Sequence, residues 1–387
     1  MFKPCLYDFN KNQLHWLNND TTLFVQRILS NKETISTEAE KALLPFIEAN
    51  IISDKINDNS NYNIESILPA NGKIEFAWIE LTDKCNLKCI HCYNSSDVSR
   101  KNSLSLEGLM TIVDELVELD VKLVQLIGRE PLLIKESLFF EMVDYVAENF
   151  EDFEIFCNGT LLNESIIKKL SKYPNIRIAV SLYSFIETEH DKITGNIGSQ
   201  RKTINSINLL KKYEIPVRYV GILIDNLDIG KHPKYSENHK QGYIRLTGRA
   251  NLNLYNKSIL KNKLITLESF TNSISKEQVI NLHKERCFSR SLYISSSLDV
   301  FPCVMERRIK HGNLRDEKLA NLLNHNILNY SKKEVEACKD CEFRYACMDC
   351  RPDSCGGNFN DKPWFGIVLM MFIMGVGKIQ MISPIHC

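Results

Sequence analysis

The chain has 387 residues, enough for two or three domains at about 150 residues each. Its 44% hydrophobic and 25% charged content excludes wholesale disorder, and its 48 basic against 48 acidic residues exclude a charge excess aimed at nucleic acid. Thirteen cysteines, ten of them in two close-spaced groups and with no basic-then-apolar signal in Met1–Asn10, fit metal or cluster ligation in the reducing cytoplasm better than a disulfide framework.

In chain order, residues 1–70 read as a small N-terminal unit. A hairpin-like stretch, Pro4–Leu17, turns near Asn10-Lys11-Asn12 and leads to helix-periodic segments at Thr22–Leu29 and Glu38–Ile47. The polar run Asp54–Asn63 reads as a linker. Residues 71–255 alternate strand and helix. Strands are expected at Ile74–Leu81, Lys122–Ile127, Phe153–Phe156, Ile176–Leu182 and Val217–Leu223, with a shorter one near Tyr243–Leu246. Ser105 suits the N-cap of a helix whose Leu109, Ile112, Val113, Leu116 and Leu119 follow helical spacing. Such alternation predicts an α/β fold with a parallel sheet, open or closed into a barrel.

Residues 256–363 lose this periodicity and gather Cys287, Cys303, Cys338, Cys341, Cys347, Cys350 and Cys355. They read as a small domain held by something other than its own core. The tail, 364–387, contains Met370, Met371, Met374 and Met381, and Lys378 is its only Lys, Arg, Asp or Glu. Cys5 and Cys157 lie outside both cysteine groups and read as small apolar residues.

Cys85-Asn-Leu-Lys-Cys89-Ile-His-Cys92 directly follows the first strand of the alternating region. Three thiolates at this spacing can bind three irons of a [4Fe–4S] cluster and leave the fourth open to a small molecule. The alternatives are a zinc site completed by His91, or three buried cysteines. Gly128-Arg129-Glu130-Pro131 follows the second strand and Asn158-Gly159-Thr160 the third, Ser181 ends the fourth, and Asn226 lies just past the fifth. In α/β barrels functional residues gather at these strand ends, although each stretch alone is also ordinary turn chemistry.

The run Glu80-Leu-Thr-Asp-Lys-Cys-Asn-Leu-Lys-Cys-Ile-His-Cys-Tyr93 resembles the CxxxCxxC core of radical S-adenosylmethionine (SAM) enzymes. The resemblance implies a TIM-like partial (βα)6 barrel with a SAM-chelating cluster. Reductive SAM cleavage there would give a 5′-deoxyadenosyl radical. It places His91 near the adenine, the motif at Gly128, Arg129 and Glu130 on the SAM amino group, and Asn158, Ser181 and Asn226 among the polar SAM contacts. Arg129 is a departure, standing where the family has a second glycine. If that backbone needs positive φ, a side chain costs on the order of 1–2 kcal/mol. A guanidinium beside a sulfonium would also repel it.

Cys338-x2-Cys341-x5-Cys347-x2-Cys350, preceded by Cys287 and Cys303, supplies more thiolates than one zinc ribbon uses. It resembles the SPASM extension of peptide-modifying radical SAM enzymes. By position, Cys287, Cys303 and Cys350 would bind one auxiliary cluster, and Cys338, Cys341 and Cys347 a second. Cys341-Glu-Phe-Arg-Tyr-Ala-Cys-Met-Asp-Cys-Arg-Pro, Ser181-Leu-Tyr-Ser, His190-Asp-Lys-Ile-Thr-Gly195 and Arg245-Leu-Thr-Gly-Arg249 resemble the grasp-with-SPASM ribosomal-peptide maturases over about residues 74–363. Leu298 replaces a glycine of that pattern, and Phe365-Gly366 stands where a further cysteine is expected; either Cys355 or Cys387 substitutes, or the second cluster is incomplete.

Trp364–Gly377 is only 14 uncharged residues against the ~20 of a spanning helix, so no membrane partner is expected. The preferred reading of this tail is a frame-shifted end, since another frame can encode Trp-Tyr-Cys there; a buried helix is the other. The resemblance implies a precursor-peptide substrate, an electron donor such as flavodoxin or ferredoxin, and an ATP-grasp ligase in the same system. Residues 1–70 resemble in outline a leader-peptide-binding module, and a plain packing domain is the other reading. A crosslink, thioether or epimerised centre are equally open as products. The alternative is a degenerate, non-catalytic Fe–S protein that still binds the peptide.

Overall fold

The computed structural model describes the backbone of residues 5–8 and 13–16, together with residues 74–245, 247–254, 288 and 290–323. The helices expected in 22–47, the linker, Cys287, Cys338, Cys341, Cys347, Cys350, Cys355 and the tail 364–387 lie outside these residues. Strands β1 (Cys5–Asp8) and β2 (Gln13–Trp16) pair antiparallel with Asp8 opposite Gln13, which is the expected hairpin.

The alternating region builds β3 (Phe76–Glu80), α1 (Leu106–Glu118), β4 (Leu123–Ile127), α2 (Glu136–Asn149), β5 (Asp152–Cys157), α3 (Glu164–Leu170), β6 (Ile176–Ser181), α4 (Glu187–Thr194), α5 (Ser199–Lys212), β7 (Val217–Leu223) and β8 (Lys240–Tyr243). Each strand from β3 to β8 pairs parallel with the next, so the six lie side by side in chain order. Parallel neighbours need crossovers, and the helices supply four of the five. Ser105 caps α1 by accepting the Gly108 N–H at 3.0 Å, and Leu109, Ile112, Val113 and Leu116 are buried as the spacing predicts. Each such burial contributes about 2 kcal/mol.

The pleat sorts each strand into two faces. On β5, Phe153, Ile155 and Cys157 pack into the main core, while Glu154 and Phe156 line a cavity. The last strand forms at Lys240–Tyr243, not at Tyr243–Leu246. Its ladder runs from Val220–Lys240 to Leu223–Tyr243 and stops where β7 stops. The apolar signal read there comes partly from Ile244, which is buried beyond the strand in a separate small cluster.

Among the described residues the sheet does not close on itself. Beside β3 lies β9 (Ser291–Ile294), parallel to it, followed by antiparallel β10 (Asp299–Phe301) and β11 (Gly312–Asn313). The result, among the described residues, is one nine-stranded sheet, β11-β10-β9-β3-β4-β5-β6-β7-β8. Residues 291–313, read from sequence as part of the cysteine-rich region, therefore continue the sheet. A short helix, α6 (Leu319–Leu322), follows and buries Leu319 and Leu322.

Candidate active site

The loop after β3 carries the three spaced cysteines, and its shape is set by bonds from distant segments. The end of α4 accepts two of its amides, Lys88 N–H to Thr194 O and Ile90 N–H to Ile193 O, both at 3.0 Å. Gly195 closes α4 with φ +67°. Arg249 grips the other side: its N–H donates to Cys92 O at 2.9 Å, Nε to Cys89 O at 2.8 Å and Nη1 to Ser96 O at 3.0 Å. The two motifs His190–Gly195 and Arg245–Arg249 thus act as clamps on the cysteine loop. Within the first, Asp191 accepts from Gly198 N, Ser199 Oγ and Gln200 N and so sets the start of α5.

Cys85, Cys89 and Cys92 are free thiols lining one cavity of about 790 Å³. The Leu87 and Ser96 N–H groups each donate at 3.4 Å, to Cys85 Sγ and Cys92 Sγ respectively. Burial pushes the Cys85 thiol up to about 11, and the Leu87 N–H and Arg129 charge pull it back. Burial and the neighbouring thiols push Cys89 up to about 12. A bound cation would offset this cost. The donor set fits a cluster in which each thiolate takes its own iron.

Of the residues read from sequence, His91, Gly128, Arg129, Asn158 and Ser181 line the same cavity. The His91 ring packs edge-on to Tyr183, with centroids 4.8 Å apart, and its buried Nδ1 has no partner. Burial, then Arg249, lowers its pKa to about 3, so the ring is neutral. At Gly128 a Cβ would press on Thr82 and on Pro131 N at 3.2 Å. Asn158 donates to Asn86 Oδ1 at 2.8 Å and accepts from Thr160 N–H at 2.9 Å, which joins the end of β5 to the cysteine loop. These groups fit a polar, zwitterionic ligand held beside the open side of a cluster.

Two residues stand apart. Glu130 is wholly buried and does not line the cavity; its carboxylate accepts from Leu132 N at 3.2 Å and Asn158 N at 2.8 Å. Burial raises its pKa to about 7. In this structure it organises two loops. Asn226 is exposed, sits at φ +56° and donates to Asp225 Oδ2 at 2.8 Å.

Arg129 takes a conformation the motif alone did not suggest. It is not among the non-glycine residues with positive φ, so the strain considered for it is absent. Its guanidinium pairs with Glu80 Oε2 at 2.5 Å, both side chains being 4% exposed, and donates to Tyr93 Oη at 2.5 Å. Asn94, with its amide oxygen turned toward the guanidinium, accepts from Nη2 and Nε at 2.7 and 2.8 Å. Glu80 also accepts from Tyr293 Oη at 2.6 Å and Ser296 Oγ at 3.0 Å, both beyond the alternating region. Sequence reading assigned no role to Glu80, Tyr93, Tyr293 or Ser296, because nothing local signals a pairing across 213 residues.

The same cavity is lined by aromatic residues, Phe76, Trp78 and Phe156, and by a polar ladder. Gln125 donates to Glu154, which takes a bidentate pair from Arg218 at 2.6 Å. The only signal for these residues was their alternation along the strands. Cys303 sits in a small buried cluster with Tyr93, Trp78, Phe156 and Phe301, next to the cysteine loop.

A parallel α/β sheet in chain order, with a C-x3-C-x2-C loop beside a cavity that runs along its strands, is the arrangement that the sequence resemblance implies. Comparison with known proteins agrees. Residues 79–231 match the Radical SAM superfamily and residues 287–342 match SPASM, an iron–sulfur cluster-binding domain, so the chain carries both domains. The second match begins at Cys287 and includes Cys303, Cys338 and Cys341.

The antilisterial bacteriocin subtilosin biosynthesis protein AlbA of Bacillus subtilis (strain 168) is 33% identical over 143 residues, 37% of this chain and 32% of that protein. The chain spans less than half the length of the curated relatives it matches. Among solved structures, native anSMEcpe with bound AdoMet aligns with a TM-score of 0.55 at 19% identity, covering 72% of this chain and 90% of that one. Streptococcus suis SuiB bound to precursor peptide SuiA aligns with a TM-score of 0.52 at 13% identity, covering 87% and 86%. These two likenesses concern the fold. No helix among the described residues is long and apolar enough to cross a membrane.

Proposed function

We propose that this chain is a radical SAM enzyme that modifies a ribosomally made precursor peptide. The observation that carries the reading is the shared cavity of Cys85, Cys89 and Cys92 with His91, Gly128, Asn158 and Ser181. When bound, a [4Fe–4S] cluster and SAM supply reductive cleavage of the sulfonium and a 5′-deoxyadenosyl radical that takes hydrogen from the substrate.

The chain's own groups divide the rest. The three thiolates would hold the cluster, on a loop whose backbone is fixed by Arg249 and the end of α4. Gly128, whose missing Cβ lets the end of β4 pack on Thr82 and Pro131, would offer its backbone to the SAM amino group. Asn158 and Ser181 offer polar contacts at the ends of β5 and β6. Neutral His91 presents an uncharged ring edge to the adenine. The aromatic lining of Trp78 and Phe156 excludes water around the side chain to be attacked.

Cys303 would ligate an auxiliary cluster together with Cys287 and Cys350, beside a second held by Cys338, Cys341 and Cys347 and completed by Cys355. The substrate class follows the peptide-processing relatives, with a flavodoxin or ferredoxin as electron donor and an ATP-grasp ligase in the same system. The product is a crosslink, a thioether or an epimerised centre. The reading as a non-catalytic Fe–S peptide binder rests on Arg129, Gly366 and the tail, and the pairing of Arg129 with Glu80 weighs against the first of these.

Anaerobic reconstitution with iron and sulfide, followed by dithionite and SAM, tests this. The expected result is 5′-deoxyadenosine well above a Cys89→Ala control. Cluster-loaded protein that yields none supports the non-catalytic reading.

A further inference from the structure

A buried salt bridge is costly to assemble, and apolar residues of similar size usually serve packing as well or better. One that persists within a cavity wall built of thiols calls for a reason other than packing. Arg129 lines the cavity beside Cys85, Cys89 and Cys92, and its charge acts on the Cys85 thiol. Its counter-ion, Glu80, lies one layer back at 3% exposure, outside the lining. The two charges therefore sit at unequal depth behind the same thiols, in a desolvated region where Coulomb interactions are strong.

The pair is held rigidly. Arg129 bonds Tyr93 Oη, and Tyr93 directly follows Cys92. Glu80 is fixed by Tyr293 Oη, Ser296 Oγ and Ser296 N, the last at 3.3 Å. The Arg307 guanidinium then caps the Tyr293 ring at 3.7 Å. Neither charge can swing into solvent, so each exerts a fixed field at the cysteine loop.

We infer that the Glu80–Arg129 pair sets the reduction potential of the cluster bound by Cys85, Cys89 and Cys92. Arg129 is a positioning residue that also supplies positive potential toward the thiolates, and Glu80 moderates it. Cluster potentials respond to local charge and hydrogen bonding, and nearer positive charge favours the reduced, more negative state. The inference rests on the proposal that these cysteines hold a cluster.

Wild type, Glu80→Gln, Arg129→Gln and the double variant are reconstituted anaerobically and titrated by EPR in alkaline buffer. The signal followed is the one that SAM perturbs and that Cys89→Ala lacks. The midpoint should fall in Arg129→Gln, rise in Glu80→Gln and return most of the way in the double variant. A purely structural role gives no such reversal of sign. If Arg129→Gln fails to hold iron, Arg129→Lys should keep the wild-type midpoint while Glu80→Gln still rises. Iron-loaded single variants with unchanged midpoints, or midpoints moving in the same direction, overturn the inference. Wild type with no SAM-responsive cluster overturns it together with the proposed function. The expected reversal without any 5′-deoxyadenosine overturns the proposed function alone.

Discussion

Gly248 lies against the backbone of Cys92 and Tyr93 so closely that a Cβ would overlap the Cys92 carbonyl oxygen and the Tyr93 carbonyl group. It also holds φ +64°, a conformation that side chains disfavour by on the order of 1–2 kcal/mol. The obstacle is backbone, which cannot rotate away as a side-chain tip does. Gly248→Ala should therefore push the cysteine loop out of register and lower the iron bound per chain after reconstitution. Iron uptake equal to wild type would show that the clamp is dispensable.

Replacing Arg129 by the glycine usual in the family should weaken the protein. The substitution leaves the Glu80 carboxylate buried without its cation and removes the donor to Tyr93. Breaking such a pair from one side costs about 3–5 kcal/mol. Urea unfolding of metal-free protein measures it, and an Arg129→Gly variant as stable as wild type contradicts the expectation.

Glu130 gives a pH dependence of definite sign. Burial raises its pKa from 4.5 to about 7, so the folded protein holds this proton more tightly than the unfolded chain. Its contribution to stability is present in full below about pH 4.5 and is lost as pH rises through about 7, at most about 3 kcal/mol. His91 and His190, lowered by burial to about 3 and 4, act in the opposite sense, since their contributions are lost as pH falls below 6.5. Subtracting the urea stability curve of Glu130→Gln from that of wild type isolates the carboxyl. The difference should decline between these two pH values, and a flat difference rules the assignment out.

Ser105→Ala removes the oxygen that accepts the Gly108 N–H at the start of α1. The helix keeps its buried stripe of Leu109, Ile112, Val113 and Leu116, so the loss should stay near 1 kcal/mol. A fall in urea midpoint several times larger would mean that the cap also holds the preceding loop.

Much of the core was legible because its signals are local. The periodicities of β4, β6 and β7 place those strands to within a residue at either end, and the cysteine spacing by itself marks the loop that lines the cavity. The partners of Arg129 were illegible for the opposite reason. Glu80 is 49 positions away along the chain and Tyr293 lies on a strand whose place in the sheet is set by backbone pairing, not by composition. Similarly, Glu130 reads as a ligand-facing carboxylate within its motif. The fold instead turns it inward, onto the amides of Leu132 and Asn158.

The pairing of β9 with β3 also carries a consequence for how the chain is made. Synthesis delivers β3 early, and β4 can cover one side of it soon after. The other side waits until Ser291–Ile294 has left the ribosome, more than 200 residues later. During that interval the nascent chain displays a bare row of amides and carbonyls, the kind of strand edge that recruits neighbouring chains. A protein shortened before Ser291 would keep that edge permanently. The late strand is thus a seal, and its absence should appear as aggregation before it appears as lost chemistry.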